Sequence, residues 1–175
     1  MRKLLLMFCV LVTTVFYAQE NSLEYKLIDS LKAKKELLYS GAKSWISNAF
    51  NSSKAIIDME DKESGRIIGK AYLNPSKQHR CMMYDEISNV SFKFVIDVKE
   101  NKYRIVLSDF YHTGKYANAG NLDPMIPPNG FGNGCGKKNA QRVYDEIKSD
   151  VKNQSELILR DFKNTINKSI KNDDF

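Results

Sequence analysis

Cysteine, proline and histidine are scarce in this sequence of 175 residues, which contains 3, 4 and 2 of them respectively. So few cysteines exclude a small protein held together by disulfides, and 9 glycines without a repeat exclude a collagen-like chain. Long apolar runs are absent beyond the N-terminus, so the chain is not a membrane protein with several spanning helices. With 42% hydrophobic and 27% charged residues it can bury a core, which excludes a wholly disordered chain and predicts one globular domain.

The N-terminal segment, residues 1–18, has the pattern of a secretory signal peptide. Two basic residues, Arg2 and Lys3, precede a short apolar run that closes at Ala18. The run is shorter than the roughly 20 residues that cross a bilayer, so we predict cleavage after Ala18 and no stable membrane insertion afterwards. A retained membrane anchor and acylation at Cys9 are the alternatives.

The mature chain, residues 19–175, keeps two cysteines in a compartment that permits disulfides. Cys81 and Cys135 could therefore form one bridge, or both could remain free. As metal ligands, His79 and Cys81 are separated by one residue, but His112 and Cys135 lie far away in sequence. Because this spacing is not that of a zinc site, we expect no metal and no cofactor.

A strand and then a helix are predicted at the start of the mature chain. Apolar residues at every second position predict a strand over residues 23–29, although leucines spaced four apart also fit a helix. The helix is predicted over residues 34–50 from apolar residues at core-facing spacing. These are Leu38, Ala42, Trp45, Ile46 and Ala49. We expect Trp45 to be buried between this helix and the sheet, with no role in a ligand site.

Four segments in the middle of the chain are predicted to be strands of one antiparallel sheet. Residues 55–60 and 66–73 are separated by a polar turn in which Gly65 can adopt the positive φ of a hairpin. The strongest hairpin pattern joins residues 92–98 to residues 103–107. Because one face of this sheet is apolar and the other is mixed, we expect helices on one face and solvent on the other.

The composition changes over residues 112–138, which hold six of the nine glycines and three of the four prolines. We predict a long irregular loop there, the least stable part of the domain, and expect any ligand site to involve it. The alternative is a flexible connection to the last helix. The end of this segment resembles a phosphate-binding loop, but Phe131 and Lys138 stand where that motif requires glycine and serine or threonine. We therefore expect no nucleotide.

The last part of the chain, residues 139–170, is predicted to be one long amphipathic helix. Its apolar residues recur at spacings of four or seven, and they are Val143, Ile147, Val151, Ile158, Phe162, Ile166 and Ile170. Such a helix would be roughly 45 Å long, which is more than a small sheet can cover. We therefore expect either a break near residues 153–155 or a basic tail that overhangs the sheet.

Several segments of the sequence resemble a family of exported bacterial proteins. They are Glu36–Tyr39, Lys43–Ile46, Ile56–Lys70 and Lys102–Arg104. That family is known only as a domain of unknown function with a TATA-binding-protein-like (TBP-like) fold, and the resemblance covers roughly residues 23–111. It implies an α+β fold in which a curved antiparallel sheet has two helices on one face. The implied order is β-α-β-β-β-β-α, with a doubtful strand at residues 81–84 left out. The matching residues are structural, so the resemblance implies no catalytic residue.

These observations together predict an exported, non-catalytic module of the bacterial envelope, periplasmic or secreted, that binds a protein, a peptide or a glycan. The binding surface would be the open sheet face or the Gly/Pro-rich loop. The alternative is a hydrolase with a site near Asp109 and His112, although no Gly-x-Ser-x-Gly motif accompanies them. A pI of about 9.1 would suit nucleic acid, but fold does not determine function and export removes that partner. We therefore expect no nucleic acid to bind.

Overall fold

A computed structural model of the chain describes residues 23–50, 55–73, 79–81, 84–86, 88–114, 119–122 and 137–171. The elements in chain order are β1 (Tyr25–Ser30), α1 (Lys35–Ala49), β2 (Ala55–Asp61), β3 (Arg66–Tyr72), β4 (His79–Cys81), β5 (Tyr84–Glu86), β6 (Ser88–Lys99), β7 (Lys102–Gly114), β8 (Gly120–Asn121) and α2 (Lys137–Lys171). The predicted signal peptide, residues 1–18, lies outside the described residues. Within them, no helix is both long and apolar enough to cross a membrane.

Six strands form one antiparallel sheet, in which β1, β7, β6, β3 and β2 are neighbours in that order. The sixth strand, β8, pairs with the far end of β7, and β4 and β5 form a separate two-stranded ladder. The α+β class and the predicted TBP-like arrangement of a curved antiparallel sheet with two helices are confirmed. The strand predicted over residues 23–29 is β1. The doubtful strand at residues 81–84 is instead divided between β4 and β5.

β6 and β7 form the central hairpin because apolar side chains occupy every second position of both strands. Nine apolar side chains of the two strands are buried, and they are Val90, Phe92, Phe94, Ile96, Val98, Tyr103, Ile105, Leu107 and Phe110. The turn between the two strands places Asn101 at a φ of 59°. Asparagine tolerates this left-handed conformation better than most residues.

The predicted turn between β2 and β3 requires Gly65 for two reasons. Its φ is 73°, and a Cβ atom at this position would lie 2.3 Å from the carbonyl oxygen of Val98. The backbones are this close because the Val98 N–H donates a hydrogen bond of 2.8 Å to the Gly65 carbonyl. Only glycine fits both the conformation and the contact.

The second half of β7 departs from the prediction. A bulge at Asp109, whose φ is 55°, lets two residues of β7 oppose Phe92 of β6, and the strand then continues. β8 returns to pair with β7, and Ala119 and Leu122 beside it are buried in the core. The predicted loop over residues 112–138 is therefore wrong at both ends, because its first residues belong to β7 and its last two belong to α2.

The two helices pack against each other as well as against the sheet. The ring of Trp45 in α1 is buried, and it meets the rings of Phe50 and Phe162 edge to face, at centroid distances of 5.3 Å and 4.9 Å. The indole Nε1 of Trp45 donates a hydrogen bond of 2.9 Å to Asp161 of α2. Trp45 is thus buried as predicted, and its polar contact and its nearest ring partner belong to α2 and not to the sheet.

α2 is one continuous helix of 35 residues, about 52 Å long at about 1.5 Å per residue. The predicted break near residues 153–155 is wrong, and Ser155 within that segment is wholly buried. The alternative of an overhanging tail is also wrong for the last turns. Ile166 is buried, and a Cβ atom on Gly41 of α1 would lie 2.5 Å from the Ser169 Oγ. Gly41 therefore lets the end of α2 pack closely on α1.

Candidate functional site on the open sheet face

The helices cover one face of the sheet, and we call the opposite face the outer face. On β3, β6 and β7, the residues that point toward the helices are buried, whereas the alternate residues are exposed or half-buried. Alternate side chains of a strand point to opposite faces, so the exposed set lies together. Over the described residues, the outer face therefore presents its side chains to solvent.

An apolar row crosses the outer face on four strands. Cross-strand pairing places Met59 beside Ile68, Ile68 beside Val95, and Val95 beside Val106. Met59 is exposed, and the other three are half-buried. Contiguous apolar side chains on a solvent-facing surface are typical of an interaction site.

A charged row lies two residues along each strand from the apolar row. Arg66 and Arg104 are paired with Asp97 from its two sides. Arg66 Nε donates to Asp97 Oδ1 at 2.6 Å, and Arg104 donates to Oδ2 through Nε at 3.0 Å and Nη2 at 2.6 Å. An open cleft of about 480 Å³, which we call the cationic cleft, lies over this row. Its lining consists of Ile28, Ser64, Arg66, Asp97, Lys99, Lys102, Tyr103 and Arg104.

Asp97 is the one acidic group of the cationic cleft, and its side chain is only 16% exposed. Burial raises the pKa of Asp97, but the hydrogen bonds from Arg66 and Arg104 together lower it by more, so its pKa lies below that of an ordinary aspartate. Asp97 is therefore ionised at neutral pH. It holds both guanidinium groups at the floor of the cleft.

Two lysines complete the cleft at the hairpin end. Lys99 and Lys102 are direct cross-strand partners, both are exposed, and neither forms an ion pair with any residue that the structure describes. Nearby acids are engaged elsewhere. Asp61, which is the cross-strand partner of Arg66, accepts two backbone N–H groups of its own turn, and Asp29 accepts hydrogen bonds from the Tyr103 hydroxyl and from Lys163. The cleft therefore has a local excess of positive charge.

The other end of the outer face carries two exposed tyrosines. Tyr72 and Tyr111 are 50% and 45% exposed, and each is a cross-strand partner of Ser91. Tyrosine is enriched at protein interfaces because its ring is apolar and its hydroxyl can form hydrogen bonds. The outer face thus combines aromatic, apolar and cationic side chains.

The structure does not bring the predicted hydrolase residues together. The Asp109 side chain is 71% exposed, and its carboxylate lies 3.9 Å from the Nζ of Lys93. His112 is wholly buried, and its Nδ1 accepts a hydrogen bond of 3.1 Å from the backbone N–H of Ala119. The bulge at Asp109 turns this carboxylate to solvent, so it cannot orient the His112 imidazole as a catalytic pair requires.

The remaining predicted site residues belong to segments that the structure describes only in part. Cys135 lies outside the described residues, as does the Cys81 side chain, so the possible bridge between them stays a prediction. In the described part of the chain, no group of three or more His, Cys, Asp or Glu side chains is placed to hold a metal ion.

The cationic cleft was missed in the sequence because its residues are far apart in the chain. Arg66, Asp97 and Arg104 belong to three strands, and each lies at a polar position of an alternating pattern. The available signal was that Asp97 and Arg104 carry opposite charges at the same distance from the turn that joins β6 to β7. Using it requires the strand register, which is set by the turns and bulges.

Comparison with known proteins identifies the fold. A family model described as a domain of unknown function (DUF4468) with TBP-like fold matches residues 24–113. A TBP-like protein from Parabacteroides distasonis has a TM-score of 0.54 and 14% identity, over 83% of this chain and 96% of its own. A DUF4468 family protein from Bacteroides ovatus has a TM-score of 0.50 and 10% identity, over 80% of this chain and 87% of its own. No curated protein matches the sequence.

Proposed function

The chain belongs to the DUF4468 family of domains of unknown function with a TBP-like fold, and from this premise we propose that it is an exported, non-catalytic binding module of the bacterial envelope. The observation that supports the proposal is the outer face of the sheet. Its apolar row of Met59, Ile68, Val95 and Val106 faces solvent between the cationic cleft and two exposed tyrosines.

A sheet face of this composition suits binding better than catalysis. A catalytic site generally needs a concave pocket in which a nucleophile or base is held beside a group that orients it. The outer face instead offers exposed aromatic and apolar side chains with charged groups at one end, which is the usual composition of a protein interface. We therefore propose a protein or peptide partner before a glycan.

The proposed location is the periplasm or the cell exterior, and it depends on the predicted signal peptide. The mature protein would begin at Gln19 after cleavage at Ala18. The intact mass of protein recovered from the envelope fraction tests this step. A mass that includes residues 1–18, or an acylated Cys9, would contradict it.

The binding role can be tested by photo-cross-linking in the host cell. A photoreactive phenylalanine analogue would replace Tyr72 or Tyr111, which are exposed on the outer face. The control is the same replacement at Leu157, a residue of α2 that is 57% exposed. We expect one cross-linked product of the same mass from both tyrosine positions and none from Leu157.

Two results would overturn the proposed role of the outer face. One is the absence of any cross-linked product from both tyrosine positions when the protein is folded and exported. The other is an equal yield of the same product from Leu157, which would mean that the contact does not depend on the sheet. Exposed positions on α2 and on the sheet differ in location but not in access to solvent, so the comparison is matched.

A further inference from the structure

We propose that the cationic cleft is a carboxylate-binding site, which takes an acidic side chain from an extended, partly apolar segment of a partner polypeptide. The inference rests on the proposed binding role of the outer face and names the chemistry of its partner. Four observations support the inference. They are the charge of the cleft, the pairing of its lysines, the orientation of its arginines and the neighbouring apolar row.

The charge of the cleft is not balanced internally. Four basic side chains line it with the single carboxylate of Asp97, which leaves an excess of three positive charges. A salt bridge that only stabilised the sheet would need one arginine for one aspartate. The two arginines share Asp97, and Asp61 is the cross-strand partner of Arg66, but neither lysine forms an ion pair with a residue that the structure describes.

The two lysines are placed where the sheet itself gains nothing from them. Lys99 and Lys102 are direct cross-strand partners on the outer face. Like charges directly opposite each other in an antiparallel pair are destabilising. An anion bound between them would convert this repulsion into two attractive contacts, which is a reason for their placement.

The two arginines are oriented for a further ligand. Asp97 binds Arg66 through Nε only, and Arg104 through Nε and Nη2. The two Nη atoms of Arg66 and the Nη1 of Arg104 have no hydrogen-bond partner among the described residues. Guanidinium groups bind planar carboxylates with two parallel N–H donors, and fixing their orientation beforehand reduces the entropy lost on binding. Asp97 is a positioning residue in this scheme.

The apolar row favours a polypeptide over an acidic glycan. It lies two residues along the strands from the charged row, which is about 7 Å in a β-strand. An extended peptide places residues i and i+2 at the same separation on one side of its backbone. A segment with an acidic residue two positions from an apolar one therefore matches both rows, whereas an acidic glycan would leave Ile68, Val95 and Val106 uncovered.

The test uses the folded protein and two short peptides at moderate ionic strength. The first is acetyl-Glu-Ser-Val-Ser-Val-amide, in which a valine lies two positions from the glutamate on the same side of the extended backbone, and the second has glutamine in place of the glutamate. Binding is measured by NMR from the side-chain Nε–H signals of Arg66 and Arg104, because each signal reports on a guanidinium group that lines the cleft. We expect both signals to shift on titration with the glutamate peptide, with an affinity at least about tenfold higher than for the glutamine peptide.

Variants separate the cleft from general positive charge. Arg104→Gln should weaken binding of the glutamate peptide about tenfold or more, since it removes a charge-assisted hydrogen bond. The matched control is Lys70→Gln, on the same face and strand as Arg66, which removes the same charge and should change affinity less than about twofold. Because Arg104→Gln can also weaken the sheet, the double variant Lys99→Gln with Lys102→Gln is the second test. It should lose affinity while its melting temperature stays the same or rises.

Each result supports or overturns the assignment. It is overturned if the Arg66 and Arg104 signals do not shift at millimolar glutamate peptide, or if both peptides bind equally. It is also overturned if Lys70→Gln weakens binding as much as Arg104→Gln, or if polygalacturonate, a carboxylate glycan, binds the cleft and the peptide does not. In each case, cross-linking from Tyr72 and Tyr111 that persists would leave the proposed binding role standing, so the two failures are distinguishable.

Discussion

Replacing Trp45 by alanine removes the side chain that joins the two helices, and we expect the free energy of unfolding to fall by about 3–5 kcal/mol. Three contributions together make up this loss. The largest is the transfer of a buried indole together with the cavity that it leaves. The edge-to-face contacts with Phe50 and Phe162 add about 0.5–1.5 kcal/mol each to area burial, and the hydrogen bond to Asp161 adds about 1 kcal/mol.

A domain of this size has a free energy of unfolding of only about 5–15 kcal/mol. Trp45→Ala would therefore lose a large fraction of its stability. The measurement is urea unfolding followed by far-UV circular dichroism. Tryptophan fluorescence is unsuitable because Trp45 is the only tryptophan in the chain.

Trp45→Phe is the matched control. It keeps an aromatic ring against Phe162 but loses the Nε1 donor, so we expect a smaller loss of about 1–2 kcal/mol. An unchanged unfolding midpoint for Trp45→Ala, with an unchanged slope, would refute the assignment of Trp45 to the contact between α1 and α2. Equal losses for the two variants would mean that the hydrogen bond, and not the packing, dominates.

Gly65→Ala should lower stability by at least about 2 kcal/mol, because it combines a left-handed φ with a clash against the Val98 carbonyl, and urea unfolding measures this. Ser155→Ala should raise stability by about 1 kcal/mol, because the buried Ser155 hydroxyl has no hydrogen-bond partner among the described residues. The urea concentration at the midpoint of unfolding should therefore increase. The free energy of unfolding should decrease as the pH falls from about 4 through the lowered pKa of Asp97. A carboxyl group whose pKa is lower in the folded state stabilises that state only while it is ionised. The pH dependence of unfolding should be shallower in Asp97→Asn. Gel-shift experiments at physiological salt should show no sequence-dependent DNA binding below about 1 μM, because charge alone gives weak, salt-sensitive binding.

Each of these expectations has a contrary result. A stable Gly65→Ala protein would mean that the turn can change its conformation. A less stable Ser155→Ala protein would show that the hydroxyl forms a stabilising contact. An identical acid transition in Asp97→Asn would assign the pH dependence to other carboxyl groups. Submicromolar binding to a particular DNA sequence would refute the argument from export.

Sequence patterns alone determined most of the secondary structure. The alternation of apolar residues in β6 and β7 was predictive because a strand buried on one face has a period of two. Gly65 marked its turn because few other residues adopt its φ. The stripes of the two helices marked most of their buried residues, although Ala49 is exposed and Ile158 and Ile170 are only half-buried. The resemblance to the family indicated how the elements are arranged.

Tertiary structure decided the features that depend on partners distant in the chain. α2 continues through Ser155 because packing on both sides outweighs the modest helix propensities of residues 153–155. β7 extends beyond Asp109 because a bulge restores the phase in which Phe110 is buried. The cationic cleft depends on the register of three strands, and a shift of one residue would move its side chains to the other face. Local propensity contains no information about that register, because it is set by turns, bulges and core packing acting together.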